Sequence, residues 1–221
     1  MLNVHCADLF GGSGYAAHSW GLLNSFLELG HEAAISTPLP QNWEFKSNRH
    51  LIKALTTPQN VRDHTLAITL PPTWPSLLSS HPKRFYGFLV WEGDKVTANI
   101  AKYAIMADKI LVPSRHTWNA AKLGGIPEEK LRLVPHGVDH RVFKPGVHVP
   151  FFEKLRQNKF TFIANKGWND GLYDRGGLQW VIKAFCEEFK TAEPVALTVK
   201  INAAYGGNVK AMIDQLNLPA D

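Results

Sequence analysis

Lys109-Ile110-Leu111-Val112, then Pro113-Ser114 and a helical stretch ending at Gly124-Gly125, then Leu131-Arg132-Leu133-Val134, is the stretch on which the fold turns. Four branched or long apolar residues bounded by proline read as a buried strand. Ser114 is placed to N-cap the helix that follows, and the paired glycines stop it before a second strand begins. A strand, a helix of about ten residues and another strand make a crossover unit, which forces the two strands to run parallel.

Working outward, the same alternation recurs. Toward the N-terminus, Val96 to Met106 is amphipathic, with Asp94 as its expected cap, and Arg84 to Trp91 and Thr65 to Leu70 read as strands, the latter bounded by Pro71-Pro72. Leu2 to His5 is a short strand. The glycine-rich turn Gly11-Gly12-Ser13-Gly14 leads into a helix in which Trp20, Leu23, Phe26, Leu27 and Leu29 recur at helical spacing. Gly30 is its left-handed stop, and His31 to Ser36 returns to a strand. Thr37 to Gln59, with Pro38, Pro40 and Pro58, is loop-rich. Toward the C-terminus the pattern restarts after Phe143-Lys144-Pro145-Gly146. Lys159 to Ala164 opens a new strand, Asp174-Arg175-Gly176-Gly177 opens a helix that runs to Phe189, and one more strand and the start of a helix follow. The expected division is 1–146 and 147–221. About seventy residues are too few for a doubly wound domain of roughly 100 or more, so the sequence reads as one complete domain and the leading part of a second. The fold class is α/β, with parallel sheets and ligands expected at the carboxyl ends of the strands.

The 221 residues are 45% hydrophobic and carry a net charge of +5. No apolar run approaches the roughly 18 to 20 residues of a membrane span, and Met1-Leu2-Asn3-Val4-His5 has neither a basic flank nor a cleavage-type segment. A cytoplasmic location follows as the expectation, with peripheral membrane contact at most. Cys6 and Cys186 form no spacing pattern and read as small buried apolar residues. Residues 76–150 hold eleven Lys/Arg against six Asp/Glu, whereas residues 1–75 hold four against five. This basic middle suggests a phosphorylated ligand or an anionic membrane face, or else a solvated face with no partner. Without a Lys/Arg run, a recognition-helix signature or interleaved aromatics, nucleic acid is not an expected partner.

Two ordered stretches resemble the retaining glycosyltransferases of family 4, group-one enzymes of the GT-B type with two facing Rossmann-like domains. One is Ala107-Asp108-Lys109-Ile110-Leu111-Val112-Pro113-Ser114, followed by Leu133-Val134-Pro135-His136-Gly137-Val138-Asp139 and Phe143-Lys144-Pro145. The other is Phe162-Ile163-Ala164-Asn165-Lys166-Gly167 with Asp174-Arg175-Gly176-Gly177. The resemblance implies an N-terminal acceptor-side domain and the beginning of a nucleotide-sugar domain. The activity it implies is transfer of a hexose from a nucleotide-diphosphate sugar to a carbohydrate, lipid or protein hydroxyl with retention, needing no metal or other cofactor. The family's paired-glutamate segment is expected beyond Asp221.

Gly12 and Gly14, with Gly11, let the backbone approach a ligand, and the following helix N-terminus offers amide donors to a diphosphate. By the resemblance, Lys166 and Arg175 complete the diphosphate site, Lys166 standing where relatives carry arginine and Arg175 where the helix-start lysine is expected. Glu92, where many relatives carry histidine, is the candidate catalytic carboxylate. Ser114 and His136 are expected on the acceptor side of the cleft. His136, Asp139 and His140 do not share a helical face and are not expected to bind metal, and Asp139 is expected to hold its turn by side-chain to backbone bonds. Trp43, Phe45 and Trp74 are candidates for stacking on a sugar or touching a lipid. Two alternatives stay open: a non-catalytic glycan- or partner-binding module of the same fold, and a nucleotide-sugar epimerase.

Overall fold

The structure, a computed structural model, describes residues 1–10, 13–37, 49–60, 63–146, 150, 158–166, 173–174, 176–201 and 209–218, with no side chains for 49–52. It divides into two compact units, Met1–Phe143 and Lys144–Asp221.

The first unit is a parallel sheet of six strands: β1 (Leu2–Cys6), β2 (Ala33–Ser36), β3 (His64–Ile68), β4 (Arg84–Phe88), β5 (Lys109–Val112) and β6 (Leu131–Leu133). Their spatial order is β2-β1-β3-β4-β5-β6. Because the order reverses at β1, connections leave to opposite sides of the sheet there. Helices α1 (Gly14–Glu28) and α2 (Arg49–Thr56) pack on one face, and α3 (Trp74–Leu78), α4 (Ala98–Ala104) and α5 (Arg115–Leu123) on the other.

Strand residues alternate between the two cores. Val4, Leu66, Ile68 and Phe88 join Leu23 of α1 and Ala54 of α2, whereas Phe85, Ile110 and Val112 join Trp74 of α3, Ala101 and Ala104 of α4 and Ala120 and Ala121 of α5. A sheet covered on both faces buries nearly every strand residue, and for this reason its strands read as continuous apolar runs.

Several expectations are refined. Gly30 does adopt the left-handed conformation, with φ 79°, but Trp20 and Leu29 are exposed, and Ala16, Ser19 and Leu23 form the buried stripe of α1. The stretch Thr37 to Gln59 contains α2, whose eight residues hold neither Pro nor Gly. The cap of α4 is Thr97, whose hydroxyl accepts from the Ile100 amide at 3.4 Å, and not Asp94. Trp74 is not a stacking residue. It is completely buried, donates from its indole to the Thr69 carbonyl at 3.1 Å and meets Phe85 edge-on. Trp43 and Phe45 lie outside the described residues.

About half of the cations of the basic middle are engaged within the fold. Arg84 pairs with Asp108 at 3.1 Å and Lys122 with Glu128 at 2.6 Å. Lys130 donates to the carbonyls of Ile105 and Ala107 at 2.7 and 2.8 Å, and Lys109 to that of Glu129 at 3.0 Å. These cations close helix and turn ends. Among the described residues, no helix is long and apolar enough to cross a membrane.

Gly124 permits close packing beneath the loop that follows β4. A Cβ there would lie 2.7 Å from the Val96 carbonyl oxygen and 2.8 Å from the Val96 Cβ. Val96 is itself fully buried and donates its amide to the Ala120 carbonyl at 3.0 Å. Gly124→Ala is expected to cost about 1–3 kcal/mol through this overlap, measured as a lower urea midpoint with an unchanged slope; a stability equal to wild type would contradict it.

The second unit pairs β7 (Phe160–Asn165) in parallel with β8 (Val195–Lys200), with α6 (Leu178–Glu188) between them in sequence and α7 (Val209–Asp214) after. Leu178, Ile182, Met212 and Leu216 form its core, and Cys186 packs against them. Gly177, with φ 75°, precedes α6. The Asp174 carboxylate receives the Gly176 amide at 2.7 Å, and its carbonyl receives the Gln179 side-chain amide at 2.8 Å. This turn explains why a helix begins at Leu178 directly after two glycines.

Candidate functional site

In the first unit, polar and aromatic side chains gather at the carboxyl ends of the strands. Beyond β1, Asp8 receives the Ser13 hydroxyl at 2.8 Å and the Phe10 amide at 3.2 Å. Ser13 in turn accepts from the Ala16 amide at 3.1 Å and so caps α1. Serine, not glycine, is therefore the capping residue of the glycine-rich turn. Gly14 is the first helical residue, and neither a positive φ nor a described neighbour within 4 Å of an added Cβ demands glycine there. Its bare surface is open at the helix N-terminus, where amide donors and the positive end of the helix dipole lie. Gly11 and Gly12 are outside the described residues.

Glu92 is exposed, four residues past the end of β4. Its loop is pinned to α5. The His116 ring nitrogen lies 3.2 Å from the Glu92 carbonyl oxygen, the Thr117 hydroxyl donates to the Trp91 carbonyl at 3.3 Å, and the Trp91 indole donates to the Lys95 carbonyl at 3.0 Å. Burial raises the Tyr15 hydroxyl's pKa, and the charge of Glu92 raises it further.

Ser114 is the expected N-cap of α5. It accepts from the Thr117 amide at 3.1 Å and donates to the Thr117 hydroxyl at 3.2 Å, so its proton is engaged in the cap.

His136 follows β6 and stacks on a histidine that the sequence reading did not single out. The rings of His18 and His136 lie 4.3 Å apart and tilted by 34°, and Phe88 lies 4.2 Å from His18 and 5.6 Å from His136. The sequence did hold a signal for His18: one imidazole, a turn beyond Gly14, in a helix start otherwise made of Tyr15, Ala16 and Ala17. Burial, with repulsion from His136, pushes the His18 pKa down to about 4, and burial lowers that of His136. Both rings are neutral at pH 7. The segment after His136 is held by Asp139, which accepts the Arg141 amide at 2.9 Å, and by the Arg141 guanidinium, which reaches both Asp139 and Glu28 of α1.

The lowered value of His18 has a consequence for stability. An unfolded histidine titrates near 6.5, so as the pH falls the unfolded chain takes up this proton first. The stability that His18 contributes is complete above pH 6.5 and is lost toward pH 4. Because the ring is partly open to solvent, the loss is about 1–2 kcal/mol. Urea unfolding at pH 7.5 and 4.5 should show His18→Phe losing less stability on acidification than wild type by that amount; equal losses would contradict the assignment.

In the second unit, Lys166 is exposed at the carboxyl end of β7, where its amide donates to the Lys200 carbonyl at 3.2 Å. Arg175 is outside the described residues. The structure thus gathers Gly14, Glu92, Ser114 and His136, with Tyr15 and His18, at one edge of the first sheet, and places Lys166 at the corresponding edge of the second unit. Among the described residues, no three His, Cys, Asp or Glu side chains come together as a metal site.

No protein-family model and no curated protein matches the sequence. Solved structures do match. A glycosyltransferase from Rickettsia africae is similar over 98% of this chain at 16% identity, with a TM-score of 0.63, and 65% of its own length is covered. Anabaena Alr3699/HepE in complex with UDP and glucose is similar over 98% at 12% identity with a TM-score of 0.58, and its complex with UDP alone at 14% with 0.53; the coverage of these chains is 64% and 66%. The chain therefore spans a little under two thirds of the length of these structures. Over nearly its whole length it has a mixed α/β, GT-B-like fold shared with a solved glycosyltransferase.

Proposed function

We propose that this chain contributes the acceptor-side domain and the first part of the nucleotide-sugar domain of a retaining hexosyltransferase of family 4. The observation that carries the reading is the convergence of an open helix N-terminus at Gly14, the Glu92 carboxylate and the neutral His18–His136 pair at the carboxyl edge of a doubly wound sheet. That edge is where such sheets bind ligands.

In this reading the donor is a nucleotide-diphosphate hexose. Gly12, Gly14 and the α1 amides hold its diphosphate together with Lys166 and Arg175, whose charges stabilise the leaving group as the bond from the anomeric carbon to the phosphate oxygen breaks. The acceptor oxygen bonds to the anomeric carbon on the face the phosphate leaves, and the departing phosphate oxygen takes the acceptor's proton. No metal is required. Glu92 accepts a hydrogen bond from a hydroxyl of the sugar or acceptor and fixes its orientation. Ser114 and His136 line the acceptor side.

The test is to incubate the protein, expressed from its complete gene, with UDP-glucose and other nucleotide sugars and to follow the anomeric proton by NMR. Nucleoside diphosphate release with an α-linked first product from an α-linked donor is expected. A β-linked first product would remove retention, and no consumption of any nucleotide sugar would remove the transferase reading. Binding of glycan without turnover would support the non-catalytic module instead.

A further inference from the structure

A concavity of about 460 Å³ opens on the same carboxyl edge at the ends of β2, β1 and β3, and its far wall is the turn after β3 with α3. A volume of this size accommodates a small ligand. Among the described residues its wall carries no Lys, Arg, Asp or Glu. Half of its lining residues carry hydroxyls, among them Thr69, Thr73 and Ser76, with His5 beside them, but most of the lining surface is apolar, with Leu70 and Leu77 in it.

The hydrogen bonds decide what these hydroxyls offer. Thr73 donates its proton to the Leu70 carbonyl at 2.8 Å, so in its 2.8 Å contact with Thr69 it is the acceptor. Ser76 donates to the Thr73 carbonyl at 2.7 Å. With their protons engaged, the Thr73 and Ser76 oxygens present lone pairs to the cavity. Burial lowers the pKa of His5, which keeps a neutral ring in the wall. A phosphate brings only acceptor oxygens and is held best by cations, and the described residues of this wall include none. A sugar hydroxyl donates as well as accepts, and the C–H face of a sugar ring suits Leu77.

We propose that this pocket binds an uncharged, polyhydroxylated carbohydrate, which is the acceptor of the transfer proposed above. The acceptor role rests on that reading; the ligand chemistry does not. It also departs from the phosphorylated ligand suggested by the basic middle of the sequence, none of whose cations lines this pocket among the described residues.

The test uses the isotope-labelled chain and follows the amides of Thr69, Thr73 and Ser76 by NMR during titration with glucose, maltose, N-acetylglucosamine, inositol and glucose 6-phosphate. At least one neutral compound should shift these amides saturably, with glucose 6-phosphate about tenfold weaker than glucose or more. Ser76 is exposed, so Ser76→Lys leaves the fold intact and should move the preference about tenfold toward the phosphate. If no neutral compound moves these amides, if the phosphate binds more tightly to wild type, or if Ser76→Lys leaves the preference unchanged, the proposal fails. Nucleotide-sugar consumption is measured separately. Turnover without shifts at these amides ends the pocket proposal alone, and shifts without turnover end only the transferase reading.

Discussion

Gly87→Ala lowers the stability of the first unit by about 3 kcal/mol, the upper part of the range for overpacking a core. A Cβ on Gly87 would overlap the Cη2, Cζ2 and Cζ3 carbons of Trp74. Neither side can yield easily. Gly87 is in β4, paired with Ala67 of β3 on one side and Ile110 of β5 on the other. The indole is completely buried, tethered to the Thr69 carbonyl and wedged at 5.7 Å against Phe85. In a chain of this size the loss corresponds to a fall of roughly 6–12 °C in Tm. Trp74→Leu by itself also destabilises, by about 2–4 kcal/mol, through the cavity it leaves. The two changes relieve one another, because the shorter side chain vacates the space the new methyl needs. The double variant should therefore be at least about 1 kcal/mol more stable than the sum of the single effects predicts. Additive losses in a complete mutant cycle would show that the methyl and the ring do not compete.

Glu92→Gln is expected to reduce kcat about 100-fold, with little change in the KM for the nucleotide sugar, a size typical of losing one oriented catalytic contact. The substitution keeps the shape and removes the charge. Glu92 is exposed and its loop is held through main-chain atoms by His116 and Thr117, so folding is not at stake. A carboxylate only accepts hydrogen bonds, whereas an amide presents a donor to the hydroxyl it should orient. A readout independent of turnover comes from Tyr15, whose hydroxyl is held above its ordinary pKa partly by the charge of Glu92. In the variant the tyrosine should titrate at lower pH, seen by absorbance. Full activity in Glu92→Gln would remove Glu92 from the chemistry, and an unmoved Tyr15 would remove it from that neighbourhood.

The legible parts of the fold are those set by local chemistry. Lys109–Val112, Ser114 and Gly124-Gly125 announce a strand, a cap and a stop through branched side chains, a hydroxyl acceptor and missing Cβ atoms, all of which act within a few residues. Gly30 belongs with them. The miscast parts depend on packing. Proline density from Pro38 to Pro58 concealed α2, whose Ala54 is buried against the sheet. Asp94 and Thr97 are both competent caps, and the choice of Thr97 follows from where the chain after Val96 is clamped onto α5. Trp74 looked like a sugar platform because an aromatic beside prolines has the same sequence signature whether it faces solvent or fills the gap over a glycine. Of the proposed site, the places of Glu92 and His136 past strand ends were legible, while their roles came from the resemblance alone. His18 was not, since only the return of the chain after β6 brings His136 onto it.

The sequence by itself determined the alternation of strands and helices and the parallel sense of the sheet, because periodicity and chain connectivity leave few other solutions, and so made the carboxyl edge the expected place for ligands. Tertiary structure alone decided which side chains meet at that edge: the His18–Phe88–His136 cluster, and a pocket that combines hydroxyls with apolar side chains and has no cation in its described wall. The physical reason is separation along the chain. His18 and His136 are over a hundred residues apart, and no local propensity encodes the sheet order that brings them to ring contact.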